Sequence, residues 1–285
     1  MKVLVDYLSN LIGETISDYK PISGGDISRA FVLRTSKNQY FLKVNSGDNA
    51  HTMFLREMSG LKVISKTNTI KTPKVFKCGI FKDLSFLLME FIETKSPSNN
   101  DFELLGNQLA LLHKVKKNEF GFVEDNFIGN LPQPNRNHSS WVKFYLEERM
   151  IPQIQLALLN NLLSRKNVPS KQRMNNVCKE FFNDISPSLL HGDLWSGNFL
   201  IASDGTPYLI DPAAYYGHHE VDIAMSKLFG GFGTPFYKAY QGHFQSDSLT
   251  DGRIDLYQLY YLLVHLNLFG SSYVGSVNKI LFKYF

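Results

Sequence analysis

Between Ser188 and Asp222 the chain reads SLLHGDLWSGNFLIASDGTPYLIDPAAYYGHHEVD, and three of its side chains are spaced for metal-assisted chemistry. Asp193 stands five residues before Asn198, and Asp211 follows after two short β-prone runs, Phe199–Ala202 and Pro207–Ile210. Ser203-Asp204-Gly205-Thr206 is a turn signal between those runs, which predicts a hairpin. With Ala202 paired to Pro207 across a four-residue turn, Asn198 falls opposite Asp211. An amide oxygen and a carboxylate then meet at the open end of the hairpin, with the Asp193 carboxylate on the loop leading in. Such hard oxygen donors suit Mg²⁺, which is held by few carboxylates and by substrate phosphates. Each residue alone has a plain structural reading, Asp193 and Asp211 as turn residues and Asn198 as a cap. The ordered set is what points to chemistry.

Upstream elements must carry a partner to this point. Residues 3–12 place Leu4, Tyr7, Leu8, Leu11 and Ile12 at helical spacing. KPISGGDISRAFVLRTSKNQYFLKVN then predicts a strand to Ile22, a loop at Ser23–Asp26, a strand near Ser28–Arg34, a turn at Ser36-Lys37-Asn38 and a strand over Gln39–Val44. A glycine pair between strands, here Gly24 and Gly25 before Asp26, lets backbone N–H groups approach phosphate oxygens. A simple hairpin turn is the alternative. No Gly-Lys-Ser/Thr follows, so this is not a Walker A loop. In FLKV, Lys43 shares a strand face with Phe41, while Leu42 and Val44 share the other. A lysine among apolar residues needs an anionic partner if it is buried. Residues 49–66 predict a helix with Phe54, Leu61 and Ile64 on one stripe, and Glu57 points the same way. Glu57 is therefore the candidate partner of Lys43, against an edge lysine in water and a surface glutamate. Val75–Cys78 and Ser85–Ile92 predict two more strands around a turn at Lys82-Asp83.

Beyond residue 92 the pattern turns helical. Phe102, Leu105, Leu109 and Leu112 form a stripe, with caps offered over 98–100 and His113 at the stripe's border as a core histidine. FGFVEDNFIGNLPQPN predicts a loop, and Trp141–Ile154 a helix with Pro152 inside it or near its end. A polar stretch over 160–169, a helix over Lys171–Phe182 and a closing helix over Arg253–Phe269 with Leu256, Tyr260 and Leu263 on one face complete the reading.

His191-Gly192-Asp193, four residues, Asn198 and then Asp211 is the spacing of the protein-kinase catalytic loop and its metal-binding aspartate. The Gly192 variant resembles the aminoglycoside-phosphotransferase branch. HGDLWSGN, DPAAYYGHHEVDIAM, LFGGF, WVKFYLEERMIPQI and YQLYYLLVHLNLFG resemble the fructosamine kinases (ketosamine-3-kinases) over almost the whole chain. The resemblance implies an α+β, two-lobed protein-kinase-like fold, with a small antiparallel-sheet lobe over 1–92 that binds ATP. A larger, mainly helical lobe over 93–285 then carries catalysis and substrate binding. It implies Asp193 as the base, Asn198 and Asp211 as Mg²⁺ ligands, Lys43 on the ATP phosphates and Met89, Glu90, Phe91 and Ile92 as the adenine hinge. His191 and Asp222 support the loop, and Trp195 is a candidate stacking surface for a sugar or a packed aromatic. The implied acceptor is a ketosamine phosphorylated at O3, free or protein-bound, in a deglycation role. An aminoglycoside- or choline-kinase-like enzyme and a non-catalytic nucleotide-binding module are the rival readings. Where the family often has Arg before the Glu, this chain has His218-His219.

Composition narrows the rest. The chain has 285 residues and a net charge of +4 not gathered in one block, which argues against a nucleic-acid partner. Only Cys78 and Cys178 occur, without metal spacing, consistent with a reducing cytoplasm. Asp6, Ser9 and Asn10 interrupt any signal-peptide core, and no apolar run reaches membrane-spanning length. A monomer is the simplest expectation for assembly.

Overall fold

In a computed structural model, residues 1–22 and 28–285 are described. Helix α1 (Lys2–Ile12) is followed by strands β1 (Asp18–Ile22), β2 (Arg29–Arg34) and β3 (Gln39–Asn45), helix α2 (Ala50–Lys66), and strands β4 (Val75–Phe81) and β5 (Leu84–Glu90). The strands form one antiparallel sheet in the order β1-β2-β3-β5-β4. Alternation along β3 decides what each face does. Tyr40, Leu42 and Val44 are buried against Leu4, Val5 and Leu8 of α1. Phe41 and Lys43 face α2, whose Phe54 and Leu61 pack on Leu87 and Met89. The sheet is thus sandwiched between two helices, and Lys43 emerges from its α2 side. The expected strand over Ser85–Ile92 stops at Glu90, leaving Phe91 and Ile92 in the connection that follows.

The remainder is dominated by helices. Helix α3 (Asn99–His113) starts at a capping box in which Ser98 Oγ accepts the Asp101 N–H and Asp101 accepts the Ser98 N–H at 2.8 Å. FGFVEDNFIGNLPQPN is not a plain loop, because it folds into a small hairpin, β6 (Asn126–Ile128) and β7 (Leu131–Gln133). A buried relay supports that hairpin: Tyr260 donates to Gln133, Gln133 to Asn126, and Asn126 to the Ala214 carbonyl.

The predicted helix over Trp141–Ile154 runs further, as α4 (Trp141–Phe144), a π-helical stretch Tyr145–Met150 and α5 (Ile151–Leu159). Pro152 has no N–H to give the Glu148 carbonyl four residues back, and its ring crowds that carbonyl. Arg149 Nη1 donates to the same carbonyl at 3.0 Å instead. Arg149 is fully buried, stacked 4.1 Å from Tyr215 and 4.7 Å from Phe144. It also donates to the Pro134 carbonyl at 2.5 Å and Asn135 Oδ1 at 2.6 Å, which pins the chain leaving β7.

After α6 (Lys171–Phe181) come β8 (Ser188–Leu190), the hairpin β9 (Phe199–Ile201) and β10 (Pro207–Leu209), and β11 (Tyr215–Gly217), which pairs back on β8. Helices α7 (Glu220–Leu228), α8 (Thr234–Gln241), α9 (Thr250–Phe269) and α10 (Val274–Tyr284) close the chain. The expectation of one buried face on α9 is too narrow. Leu256, Tyr257, Leu259, Tyr260, Tyr261 and Leu262 are all buried, as a helix central to a large core requires. The segment that leaves β5 is tied to the β9–β10 hairpin by backbone bonds from Lys95 to Ile201 and from Ser203 to Glu93.

Candidate active site

The β9–β10 hairpin forms, with a register one residue from the expected one. Pro207 pairs with Ile201, and Ile210 rather than Asp211 lies opposite Asn198, donating its N–H to the Asn198 carbonyl at 3.0 Å. The loop is three residues, not four. Gly205, at φ 90°, donates to the Ala202 carbonyl while Ala202 donates to the Thr206 carbonyl. A glycine in the left-handed region shortens the loop in this way, and one residue of loop length moves every pair in the ladder. Asp211 follows at φ 53°, an uncommon conformation for a side-chain-bearing residue, so the chain leaves the strand at this position. From there its carboxylate meets Lys43.

The loop before the hairpin is held from beneath. Asp222 is fully buried and accepts the His191 and Gly192 N–H groups on separate oxygens, each at 2.8 Å. His113 Nε2 meets the same carboxylate at 3.0 Å, and its Nδ1 meets Tyr240 at 2.7 Å. Burial opposes ionisation of Asp222, but these partners hold its carboxyl below the usual range. His113 is thus the core histidine expected, with a partner 109 residues away. His191 Nε2 donates to the Ile210 carbonyl at 2.8 Å, and its Nδ1 accepts the Asp193 N–H at 3.2 Å. That pattern is a neutral imidazole, in line with a pKa lowered by burial. Gly192 has φ 86°, and a Cβ there would lie 2.1 Å from the Ala213 carbonyl oxygen. Tyr261 donates to the Gly192 carbonyl at 2.8 Å, a support with no signal in the sequence.

Above this frame, Asn198 Nδ2 donates to the Asp193 carbonyl at 2.8 Å and to its carboxylate at 3.2 Å. Burial, then the charges of Asp211 and Asp222, push the Asp193 carboxyl up to about 7. Lys43 Nζ is 2.9 Å from Glu57 and in direct contact with Asp211. Two carboxylates share one ammonium. Burial and the Asp211 charge raise Glu57 to about 8, whereas Asp211, which burial alone would raise, is held low by Lys43. Both carboxylates keep Lys43 charged despite its burial.

These residues line one cavity of about 650 Å³, between α2, the β6–β7 hairpin, the loop that carries Asp193 and α9. Lys43, Glu57, Asp193, Trp195, Asn198 and Asp211 all face it. His191 and Asp222 lie beneath it as supports. Met89, Glu90, Phe91 and Ile92 do not line it: Met89 packs under α2, and Glu90 is bonded to Lys74 of the neighbouring chain segment. Gly24, Gly25 and Asp26 lie outside the described residues. Arg56 of α2 is ion-paired to Glu124, joining the helix to the segment before β6 at the cavity's edge.

The fructosamine kinase family model matches residues 2–285. The chain belongs to the fructosamine kinase family. It is 38% identical to a Lactiplantibacillus plantarum protein named probable ketoamine kinase, over 100% of both chains. It is 39% identical to the chloroplastic protein-ribulosamine 3-kinase of Arabidopsis thaliana, over 92% of this chain and 81% of that one. A Haemophilus somnus crystal structure described as "putative fructosamine-3-kinase" superposes with a TM-score of 0.88 at 28% identity, covering 99% and 96% of the two chains. The aminoglycoside phosphotransferase APH(4)-Ia, at 16% identity and a TM-score of 0.65 over 98% and 97%, shares the kinase-like fold. Family and fold together make the chain a phosphotransferase.

Two of the cavity's donors would suit Mg²⁺ beside a phosphate-bearing nucleotide. Asn198 spends its N–H groups on Asp193, leaving the amide oxygen as a donor, and Asp211 adds an ionised carboxylate. His218 and His219 lie elsewhere, with Glu220 within metal-ligand reach. Their Nδ1 atoms are engaged by the Tyr257 and Tyr240 hydroxyls at 2.8 and 2.9 Å, and Glu220 forms a bidentate pair with Arg253 at 2.6 and 2.7 Å. Hydrogen bonds account for this group without a metal. No helix among the described residues is long and apolar enough to cross a membrane.

Proposed function

We propose that this chain phosphorylates the O3 hydroxyl of ketosamines with Mg-ATP, the first step of deglycation. One observation carries the reading: in a fructosamine kinase, the Lys43–Glu57–Asp211 cluster and the Asp193–Asn198 pair face the same cavity. ATP would bind between an N-terminal lobe, 1–92, and a C-terminal lobe, 93–285, with the hinge at Met89–Ile92 and Gly24–Asp26 over the phosphates.

Phosphoryl transfer needs little covalent help from the protein, so positioning and charge account for the rate. Asn198 and Asp211 would hold Mg²⁺, which supplies charge neutralisation on the phosphates when bound. Lys43, steadied by Glu57, would contact the phosphates. Asp193 would orient the O3 hydroxyl and take its proton as the O–P bond forms and ADP leaves. A carboxyl raised to about 7 is matched to a base acting near neutrality. Asp222 holds the loop that carries Asp193, and Trp195 offers a ring face to the sugar. The relatives named protein-ribulosamine 3-kinase and "putative fructosamine-3-kinase" support a ketosamine acceptor, free or protein-bound.

The test is Mg-ATP turnover on ribulosyl-lysine, fructosyl-lysine, an aminoglycoside and choline. We expect turnover on a ketosamine, an O3-phosphate product by NMR, and a 10²–10⁴-fold lower kcat in Asp193→Asn. Turnover on choline or the aminoglycoside alone would sink the ketosamine reading.

A further inference from the structure

Asp222 ends a line of hydrogen bonds that leads out of the core. His113 Nε2 meets its Oδ2 at 3.0 Å, the Tyr240 hydroxyl meets His113 Nδ1 at 2.7 Å, and His219 Nδ1 meets the same hydroxyl at 2.9 Å. Asp222 and His113 are fully buried, Tyr240 is 4% exposed, and His219 is half-buried. The line therefore joins the carboxylate beneath the Asp193 loop to a side chain near the surface.

Tyr240 has one hydroxyl proton to place between two imidazoles, which gives the line two states. Asp222, held ionised, only accepts, so His113 Nε2 carries a hydrogen in both. With His113 neutral, its Nδ1 accepts from Tyr240 and His219 donates from Nδ1. With His113 an imidazolium, its Nδ1 donates to Tyr240, which turns its own O–H to His219 Nδ1. The adjacent His218 lacks this freedom: Tyr257 accepts the Trp141 indole N–H at 2.9 Å, which commits the hydroxyl proton to His218 Nδ1.

Electrostatics favour a cation at the inner end. His219 caps the N-terminus of α7, where the helix dipole opposes positive charge. It faces Lys116, Arg253, His113 and His218, and the nearby Glu220 is paired with Arg253. His113 is the last residue of α3, where the dipole favours positive charge, and it lies against Asp222.

We propose that His219, Tyr240 and His113 are positioning residues, a proton relay that takes up the proton Asp222 would otherwise accept and so preserves the brace under Asp193 as pH falls. A proton from water bonds to His219 Nε2. The Nδ1–H bond of His219 breaks and its proton passes to the Tyr240 oxygen, whose own proton passes to His113 Nδ1. Tyr240 ends as a neutral phenol, His219 as a neutral imidazole protonated on Nε2, and His113 as an imidazolium paired to Asp222. Asp222 keeps both oxygens as acceptors for the His191 and Gly192 N–H groups. The effect on turnover rests on the kinase reading above, whereas the relay itself does not.

Three variants test it. Tyr240→Phe removes only the hydroxyl. His219→Arg offers Tyr240 a donor alone, which holds His113 neutral, whereas the amide of His219→Gln turns either its oxygen or its NH₂ to Tyr240 and keeps both states. Ring ¹⁵N NMR of histidine-labelled protein follows His113. In Tyr240→Phe and His219→Arg its Nδ1 should gain a proton about one pH unit or more lower than in the parent, the loss of a hydrogen bond to a charged group. In His219→Gln it should do so at the parent's pH. With a ketosamine as acceptor, the kcat of Tyr240→Phe relative to the parent should fall about threefold or more between pH 7 and pH 5.5, a ratio from which the titration of Asp193 cancels. The same ratio for His219→Gln should stay level. A His113 titration equal in all four proteins overturns the relay, whatever the turnover. A shifted titration with level kcat ratios overturns its role in positioning the loop. The expected titrations in a protein that turns over no ketosamine would sustain the relay and sink the reaction assigned above.

Discussion

Asp222 holds Gly192 by a 2.8 Å hydrogen bond from a fully buried carboxylate oxygen to the backbone N–H next to the candidate base. Its other oxygen takes the His191 N–H at the same distance, so one ionised side chain fixes two consecutive peptide groups. The Asp193 position is therefore set from 0%-exposed protein and not from the solvent-facing side of the loop.

Asp222→Asn tests that arrangement. A carboxamide keeps one acceptor oxygen and turns an NH₂ toward an N–H, leaving a buried donor unpaired at about 1–3 kcal/mol. We expect a loss of stability of that size in urea denaturation. If the loop is what Asp222 positions, kcat falls at least tenfold while KM for ATP stays within threefold. An equal rise in KM with kcat preserved would mean that Asp222 acts only on the fold.

Gly192 distinguishes this loop from the protein-kinase H-R-D. At φ 86°, with the Ala213 carbonyl oxygen 2.1 Å from a would-be Cβ, no side chain fits without moving the β11 approach. Gly192→Arg should cost about 3 kcal/mol, combining left-handed backbone and overpacking. Gly192→Ala should cost nearly as much, because the Cβ itself is what clashes. Denaturation midpoints near the parent's for Gly192→Ala would show the loop to be far more yielding than its geometry indicates.

His219 gives a pH signature. Burial first, then the neighbouring cationic groups, lowers its pKa to about 3, and His218 shifts the same way. A folded pKa below the unfolded one gives stability that is complete above about 6.5 and lost as pH falls toward 3, since only the unfolded chain takes the proton. Asp193 and Glu57, raised to about 7 and 8, act in the opposite sense, so the contribution is read as a difference. Relative to His219→Gln, the parent should lose about 2 kcal/mol between pH 6.5 and pH 5, at about 1.4 kcal/mol per unit. A parent–variant difference constant over that range would show that His219 takes its proton within the fold.

Much of this was written in local pattern. Alternation placed Lys43 on the face opposite Leu42 and Val44, and helical spacing placed Glu57 on the stripe of Phe54 and Leu61. Their 2.9 Å pair follows once α2 covers the sheet. The HGDLWSGN string named Asp193 and Asn198 because a short loop leaves neighbouring residues few ways to be apart. Pro152, read inside or near the end of a helix, did not tell that the turn before it would become π-helical with Arg149 bonding the Glu148 carbonyl.

What the pattern did not contain are relations between residues far apart in the chain. Asn198 faces Ile210 because Gly205 adopts φ 90°, and a one-residue change in loop length is invisible to a period-two alternation. His113 meets Asp222 across 109 residues only after α3 and α7 have packed. Helix α9 is apolar around most of its circumference, so periodicity cannot say which of its residues leave the core. Residue types and their local spacing thus determined which groups are available for chemistry and which family the chain resembles. Packing alone decided the hairpin register, the buried brace under Asp193 and the line of hydrogen bonds from Asp222 to His219, because each depends on where separate elements come to rest against one another.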